Sequence, residues 1–436
     1  MKTKLFLPLL LLSVLCVFTG CKGNKDEIYY LNFKPEVASV YDEIATAYKK
    51  ETGVNLRVAT AASGTYEQTL KSEIGKTDAP TIFQINGPQG YAAWKDYCAD
   101  LSDTDIYKHL SDPSLALRTE DGVYGIPYVV EGYGIIYNEE ITDKYLALKN
   151  RASDISSMED IKSFATLKAV VEDMTRHKSE LGISGVFAAT SLKSGEDWRW
   201  QTHLANIPIH YELTEDGKGL TTIPDTADFR YANEYKQLFD LYVNNSTVDK
   251  KLLGSKEVAD SMAEFALGKC AMVQNGNWAY GQISGIDGNV VKADKVKMLP
   301  LYTGHDGEER QGICIGTENY LAINSKASPE QQKAAADFLY WLYSSDTGKE
   351  FVTNKLQFIA PFDTFEKEDR PKDPLGSEVY RWQEKENVQN LPWTFTVFPG
   401  QNFKKDFGAA LLQYVQGTKT WSQVVDTFKN RWAEES

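Results

Sequence analysis

The side chains best placed to do chemistry in this chain are aromatic rings, carboxylates and amides next to glycines. Trp278 follows Asn275-Gly276-Asn277 after the apolar segment Ala271-Met-Val-Gln, a pattern that predicts a strand-to-helix turn presenting an indole. Glu131 lies inside the apolar run Tyr128 to Tyr137, where a carboxylate is costly unless it is satisfied. Trp198 and Trp200 follow a Ser194-Gly195 turn. At this spacing on a helix they face different ways, so one is expected to be presented, Trp198 ahead of Trp200. Asn86 ends a short strand just before Gly87, Tyr66 follows Gly64 at a helix start, and Glu318 and Asn319 precede a strand from Tyr320. Such groups hydrogen-bond and stack. Each also has a structural alternative: core packing for the rings, pairing with Lys or Arg for Glu131, a turn for Asn86, a solvated loop acid for Glu318.

Signatures of turnover are thin. Gly75-Lys76-Thr77 ends like a phosphate loop, but Leu70 stands where the earlier glycine is required. Gly182-Ile-Ser-Gly185 brings its second glycine one residue too early for a nucleophile elbow. The five histidines form no metal-binding pair, and neither a metal nor another cofactor is expected. A glycosidase, whose two carboxylates leave no readable motif, stays open as an alternative. The net charge of −14 argues against nucleic acid or an anionic membrane surface as partner. Hydrophobic content of 42 % and charged content of 25 % are those of a globular chain, long enough for two cores.

The elements that must position these residues follow an α/β grammar. Ile28 to Phe33, Val54 to Val58 and Thr81 to Ile85 read as strands. Between them lie a helix with Val37, Val40, Tyr41, Ile44 and Tyr48 at helical spacing, stopped by Gly53, and a second within 64–75. Alternation of this kind predicts parallel strands with right-handed crossovers. Further on, Tyr320 to Asn324 reads as a strand, and Ser328, Pro329 and Gln331 open a helix with a capping box.

Five stretches, in order, carry a resemblance. They are Tyr41-Asp-Glu-Ile-Ala-Thr-Ala-Tyr-Lys-Lys-Glu-Thr-Gly-Val54; Ala79-Pro-Thr-Ile-Phe83; Gly125-Ile-Pro-Tyr-Val-Val-Glu-Gly-Tyr-Gly-Ile-Ile-Tyr-Asn138; Phe265-Ala-Leu-Gly-Lys-Cys-Ala-Met-Val-Gln-Asn-Gly-Asn-Trp278; and Tyr320-Leu-Ala-Ile-Asn-Ser-Lys-Ala-Ser328 with its helix, ending at Phe358-Ile-Ala-Pro-Phe362. Together they resemble the extracellular solute-binding proteins of the maltose-binding-protein-like group, the carbohydrate-binding components of ABC importers. The resemblance implies a periplasmic-binding-protein-like α/β fold of two lobes, joined by about three crossovers near Val130, Pro300 and Phe362, with ligand in the cleft between. It implies lobe 1 over 28–130 and 302–362, and lobe 2 over 131–301 and 363–436. It implies a carbohydrate ligand, a permease partner, a monomer and no catalysis. Trp278 is placed on the family's sugar-stacking tryptophan, Glu131 on a sugar-binding glutamate, and Trp198 or Trp200 on a second aromatic platform. Phe33, Glu36, Phe362 and Phe403 are weaker candidates. Pro35 falls where the family carries an acidic residue in its first loop. A polyamine or a peptide is the alternative cargo.

At the N-terminus, Lys2 and Lys4 precede an apolar run from Leu5 to Phe18, too short to span a bilayer comfortably, then Thr19, Gly20 and Cys21. The arrangement resembles a bacterial lipobox, which implies a signal over 1–20, an acylated Cys21, a tether over 21–27 and lipid anchoring on the extracytoplasmic face. Losing the two lysines would leave the chain near about −16. Cys98, Cys270 and Cys314 are too widely spaced for a disulfide framework and are expected to be buried thiols. Cys21→Ser is expected to release the protein from membranes on fractionation; a normally processed, membrane-bound variant would rule the anchor out.

Overall fold

The computed structural model describes residues 27–436, apart from 62, 63 and 221. The segment 1–26, with the expected signal, Cys21 and all but the last residue of the expected tether, lies outside the described residues. Among the described residues twelve strands follow one another: β1 Glu27–Asn32, β2 Asn55–Thr60, β3 Ile82–Asn86, β4 Leu117–Thr119, β5 Gly122–Pro127, β6 Glu131–Asn138, β7 Gly185–Phe187, β8 Cys270–Gly276, β9 Val296–Leu299, β10 Gln311–Gly316, β11 Asn319–Ile323 and β12 Gln389–Leu391. They form two sheets. The first has the order β2-β1-β3-β11-β5-β4; the second runs β12-β10-β6-β8-β7, with β9 also paired to β6. As the alternation predicts, β1 pairs in parallel with both β2 and β3. The helix Ala38–Thr52 ends at Gly53, left-handed at φ 78°. The capping box of Ser328 and Gln331 opens the helix Pro329–Ser344.

Each sheet builds its own core. Tyr30, Ile44, Ile82, Ile126 and Phe338 pack in the first, and Ile135, Val170, Leu204, Phe239 and Leu411 in the second. Cys98, Cys270 and Cys314 are free and buried. Among the described residues no helix is long and apolar enough to cross a membrane.

The chain passes from the first sheet to the second between β5, which ends at Pro127, and β6, which begins at Glu131. Its return differs from expectation: the chain does not come back near Pro300. β9 pairs antiparallel with the 135–138 part of β6, and β10 then pairs antiparallel with its 131–133 part. The chain thus turns back onto the same strand, and 302–316 stay with the second sheet. The return lies at Thr317–Glu318, between β10 and β11. After the helical stretch 329–355, Phe362 still packs in the first core, and the chain re-enters the second layer with the helix Pro374–Glu384.

The last two helices, Gln401–Val415 and Trp421–Glu435, are welded by aromatic rings. Trp432 is fully buried, its centroid 5.3 Å from Phe403 and 5.1 Å from Phe398, and its indole N–H donates to the Pro224 carbonyl at 2.8 Å. Trp432→Ala should lower unfolding stability by about 3–5 kcal/mol in denaturant titration; a loss within about 0.5 kcal/mol would mean the helix pair does not depend on that ring.

Candidate functional site

Between the two sheets lies a cavity of about 550 Å³ whose walls come from both. Its base holds a buried ion pair. Lys34 follows β1, and its ammonium meets Glu131 Oε1, the first residue of β6, at 2.7 Å. Glu36 stands 3.6 Å from the same ammonium. Burial alone would lower the Lys34 ammonium, but Glu131 and then Glu36 outweigh it and hold it charged, well above its ordinary value. Glu131 therefore has both the cavity position expected of a binding group and the cationic partner of the structural alternative.

Trp278 is held above this pair by a backbone bracket. Asn277 Oδ1 accepts from the Gly132 N–H at 2.9 Å, and the Asn277 N–H donates to the Gly132 carbonyl at 3.0 Å. The indole folds back over Gly276, where a β-carbon would stand 2.1 Å from the ring, so only glycine admits it. Trp278 then opens the helix Ala279–Ser284, as the Asn-Gly-Asn pattern predicts. Trp198 lies across from it, ring centroids 6.1 Å apart and tilted by 52°. Lys34 Nζ sits 5.9 Å from the Trp278 ring.

The opposite wall joins residues distant in sequence. Asn86, at the end of β3, lies in register with Asn319 of β11, and its amide donates to Glu318 Oε1 at 3.3 Å. Burial pushes the Glu318 carboxyl up, against the pull of Lys404 and Lys34. Tyr66 also lines the cavity, but its hydroxyl is occupied, accepting from the Gln84 N–H at 2.6 Å. The two halves also approach closely at two glycines. A β-carbon on Gly87 would meet Thr396 Cβ at 2.9 Å, and one on Gly64 would stand 3.2 Å from Gly195 Cα.

Of the residues singled out from sequence, Trp278, Glu131, Trp198, Asn86, Tyr66, Glu318 and Asn319 line the cavity, as do Phe33 and Glu36. Three do not. Trp200 is 1 % exposed and packs edge-on against Phe239 and Tyr242, centroids 5.1 and 4.9 Å away. Phe362 packs on Tyr343 in the first core, and Phe403 lies under Trp432. Trp198 stands just before the π-helical turn Arg199–Leu204 and Trp200 within it, two residues on and so on a different face. Lys34, Lys404, Gln201, His203 and Trp393 line the cavity as well and carry no sequence pattern that would have selected them. Among the described residues no group of His, Cys, Asp and Glu could hold a metal ion.

The two tryptophans of the 198–200 segment should separate experimentally. Trp200→Ala is expected to lower stability by about 3–5 kcal/mol, and Trp198→Ala by clearly less, since its ring is only partly buried. Equal losses in thermal and denaturant unfolding would contradict this placement.

No curated protein matches the chain in sequence. Solved structures do match in fold. A chitin oligosaccharide binding protein superposes with a TM-score of 0.72 at 17 % identity, covering 94 % of this chain and 98 % of its own. A sugar transporter protein of Bacillus licheniformis, in complex with stachyose, gives 0.66 at 19 % identity, with 94 % and 99 % covered. Maltose-bound MalE3 of T. maritima gives 0.67 at 16 % identity, with 93 % and 98 % covered. The two-sheet fold is thus that of MalE-type binding proteins. A family model of bacterial extracellular solute-binding proteins matches residues 43–375. With three quarters of its length inside that match and its cavity walled by both sheets, the chain belongs to the bacterial extracellular solute-binding proteins.

Proposed function

We propose that the protein binds a carbohydrate, an oligosaccharide by the size of the cavity, outside the cytoplasm and delivers it to the permease of an ABC importer. The observation that carries this reading is the pairing of two cavity tryptophans, Trp198 and Trp278, with carboxylates and amides drawn from both sheets. Rings cover the C–H faces of a sugar, and Glu318, Asn86 and Asn319 offer acceptors and donors for its hydroxyls. The chitin-oligosaccharide, stachyose and maltose proteins that share the fold point to the same ligand class. A ligand held by both walls favours the arrangement in which they approach, and that shape is what a permease would recognise. The protein acts by binding and release rather than by turnover. Acylation at Cys21 would keep it at the membrane face, working as a monomer.

Calorimetry with maltotriose, xylotriose, raffinose and chitotriose, with spermidine and a tripeptide as controls, tests the reading. At least one sugar should bind near micromolar, roughly −8 kcal/mol, and be recovered intact. Trp278→Ala should weaken it by about 1–3 kcal/mol, roughly 5- to 150-fold. Binding of spermidine or the peptide with no sugar bound, or unchanged affinity in the variant, would overturn it.

A further inference from the structure

The part of the cavity wall contributed by the second sheet carries polar atoms that nothing in the protein satisfies. Gln201, His203 and Trp393 are 7 %, 4 % and 4 % exposed, and all three line the cavity. Gln201 Oε1, His203 Nδ1 and Trp393 Nε1 have no hydrogen-bond partner among the described residues. Asn86 Oδ1 and Gln282 Oε1, which also line the cavity, lack partners as well. Buried polar atoms are almost always paired, so a cluster of this kind around one cavity asks for a partner that enters it.

Their placement is rigid. The His203 ring stacks on Tyr133, centroids 4.2 Å apart at 14°, and is boxed by Trp198 at 4.9 Å, Phe395 at 5.0 Å and Trp393 at 6.0 Å. Burial, reinforced by Arg199, Lys34 and Lys404, pushes the imidazole well below its ordinary value, so the ring is neutral and offers one donor nitrogen and one acceptor nitrogen. Gln201 spends its amide N–H on Asp197 Oδ1 at 2.8 Å, which leaves the carbonyl end as an acceptor. The Trp393 indole can only donate. The set therefore holds one donor, one acceptor and the His203 Nδ1, which donates or accepts according to the tautomer. A carboxylate, which only accepts, would leave the Gln201 carbonyl unmet, and an ammonium, which only donates, would leave the indole N–H unmet. Hydroxyls, which do both, meet every member.

We propose that Gln201, His203 and Trp393 form a subsite for an uncharged, hydroxyl-bearing sugar unit, with the His203 imidazole hydrogen-bonded to one of its hydroxyls. This rests on the carbohydrate reading and narrows it to neutral glycans at this end of the cavity.

The test compares wild type, His203→Phe, His203→Gln and Trp393→Phe by calorimetry and thermal unfolding, with maltotriose, xylotriose, raffinose, chitotriose and trigalacturonate as probes. Phenylalanine keeps the stack on Tyr133 and removes the ring nitrogens; Trp393→Phe removes the indole N–H together with part of the ring. Wild type should bind a neutral trisaccharide at least tenfold more tightly than trigalacturonate. His203→Phe and Trp393→Phe should each weaken that sugar by roughly tenfold, the scale of one hydrogen bond lost in a dry site. Both should keep melting temperatures within a few degrees of wild type, and His203→Gln should recover part of the affinity. Unchanged affinity in both phenylalanine variants, or a preference for trigalacturonate, overturns the subsite alone. Wild type that binds none of the sugars overturns the carbohydrate reading, and the subsite falls with it.

Discussion

The ion pair between Lys34 and Glu131 is the constraint around which the cavity is arranged. One partner follows β1 of the first sheet and the other opens β6 of the second, so a single 2.7 Å contact fastens the two layers beneath the site. Both groups are buried, and a buried charge is tolerable only when paired; removing one partner of such a pair typically costs about 3–5 kcal/mol. Asn32 fixes the backbone of Lys34 from both sides, accepting from its N–H at 3.1 Å and donating to its carbonyl at 2.8 Å. Glu131 in turn sets where β6 begins, and its neighbour Gly132 receives the Asn277 bracket that holds Trp278. Charge, strand start and aromatic platform are therefore one assembly.

How much of this was legible in the sequence depended on whether a residue broke its local pattern. Glu131 stood out because an apolar run cannot carry a carboxylate without a reason. Trp278 and Asn86 stood out because Asn-Gly-Asn and Asn-Gly mark turns at strand ends, where open sheets expose their ligand sites. Lys404, by contrast, sits in a helix rich in polar residues, and His203 lies among Gln201, Thr202 and two tryptophans; neither departs from its surroundings. Trp198 and Trp200 separate by their spacing alone, since residues two apart on a helix face different ways; the π-helical turn that carries Trp200 has no signal in a regular helical period.

The crossover placed near Pro300 failed for a related reason. Met298-Leu-Pro-Leu-Tyr302 has the composition of a strand leaving its sheet, and composition says nothing about which partner a strand takes. In the fold, β6 is long enough to accept β9 along one end and β10 along the other, so one strand anchors two returns. Pairing of that kind is a property of tertiary register, invisible until the neighbours are in place.

The close glycine contacts, Gly87 against Thr396 and Gly64 against Gly195, bear on time rather than affinity. At such contacts there is no long side chain between the halves that could swing aside to open a small gate. Such contacts part only as the halves themselves part, a collective movement on the microsecond-to-millisecond scale. A ligand that must wait for that parting leaves no faster than the contacts open, whatever the strength of its own contacts with the walls.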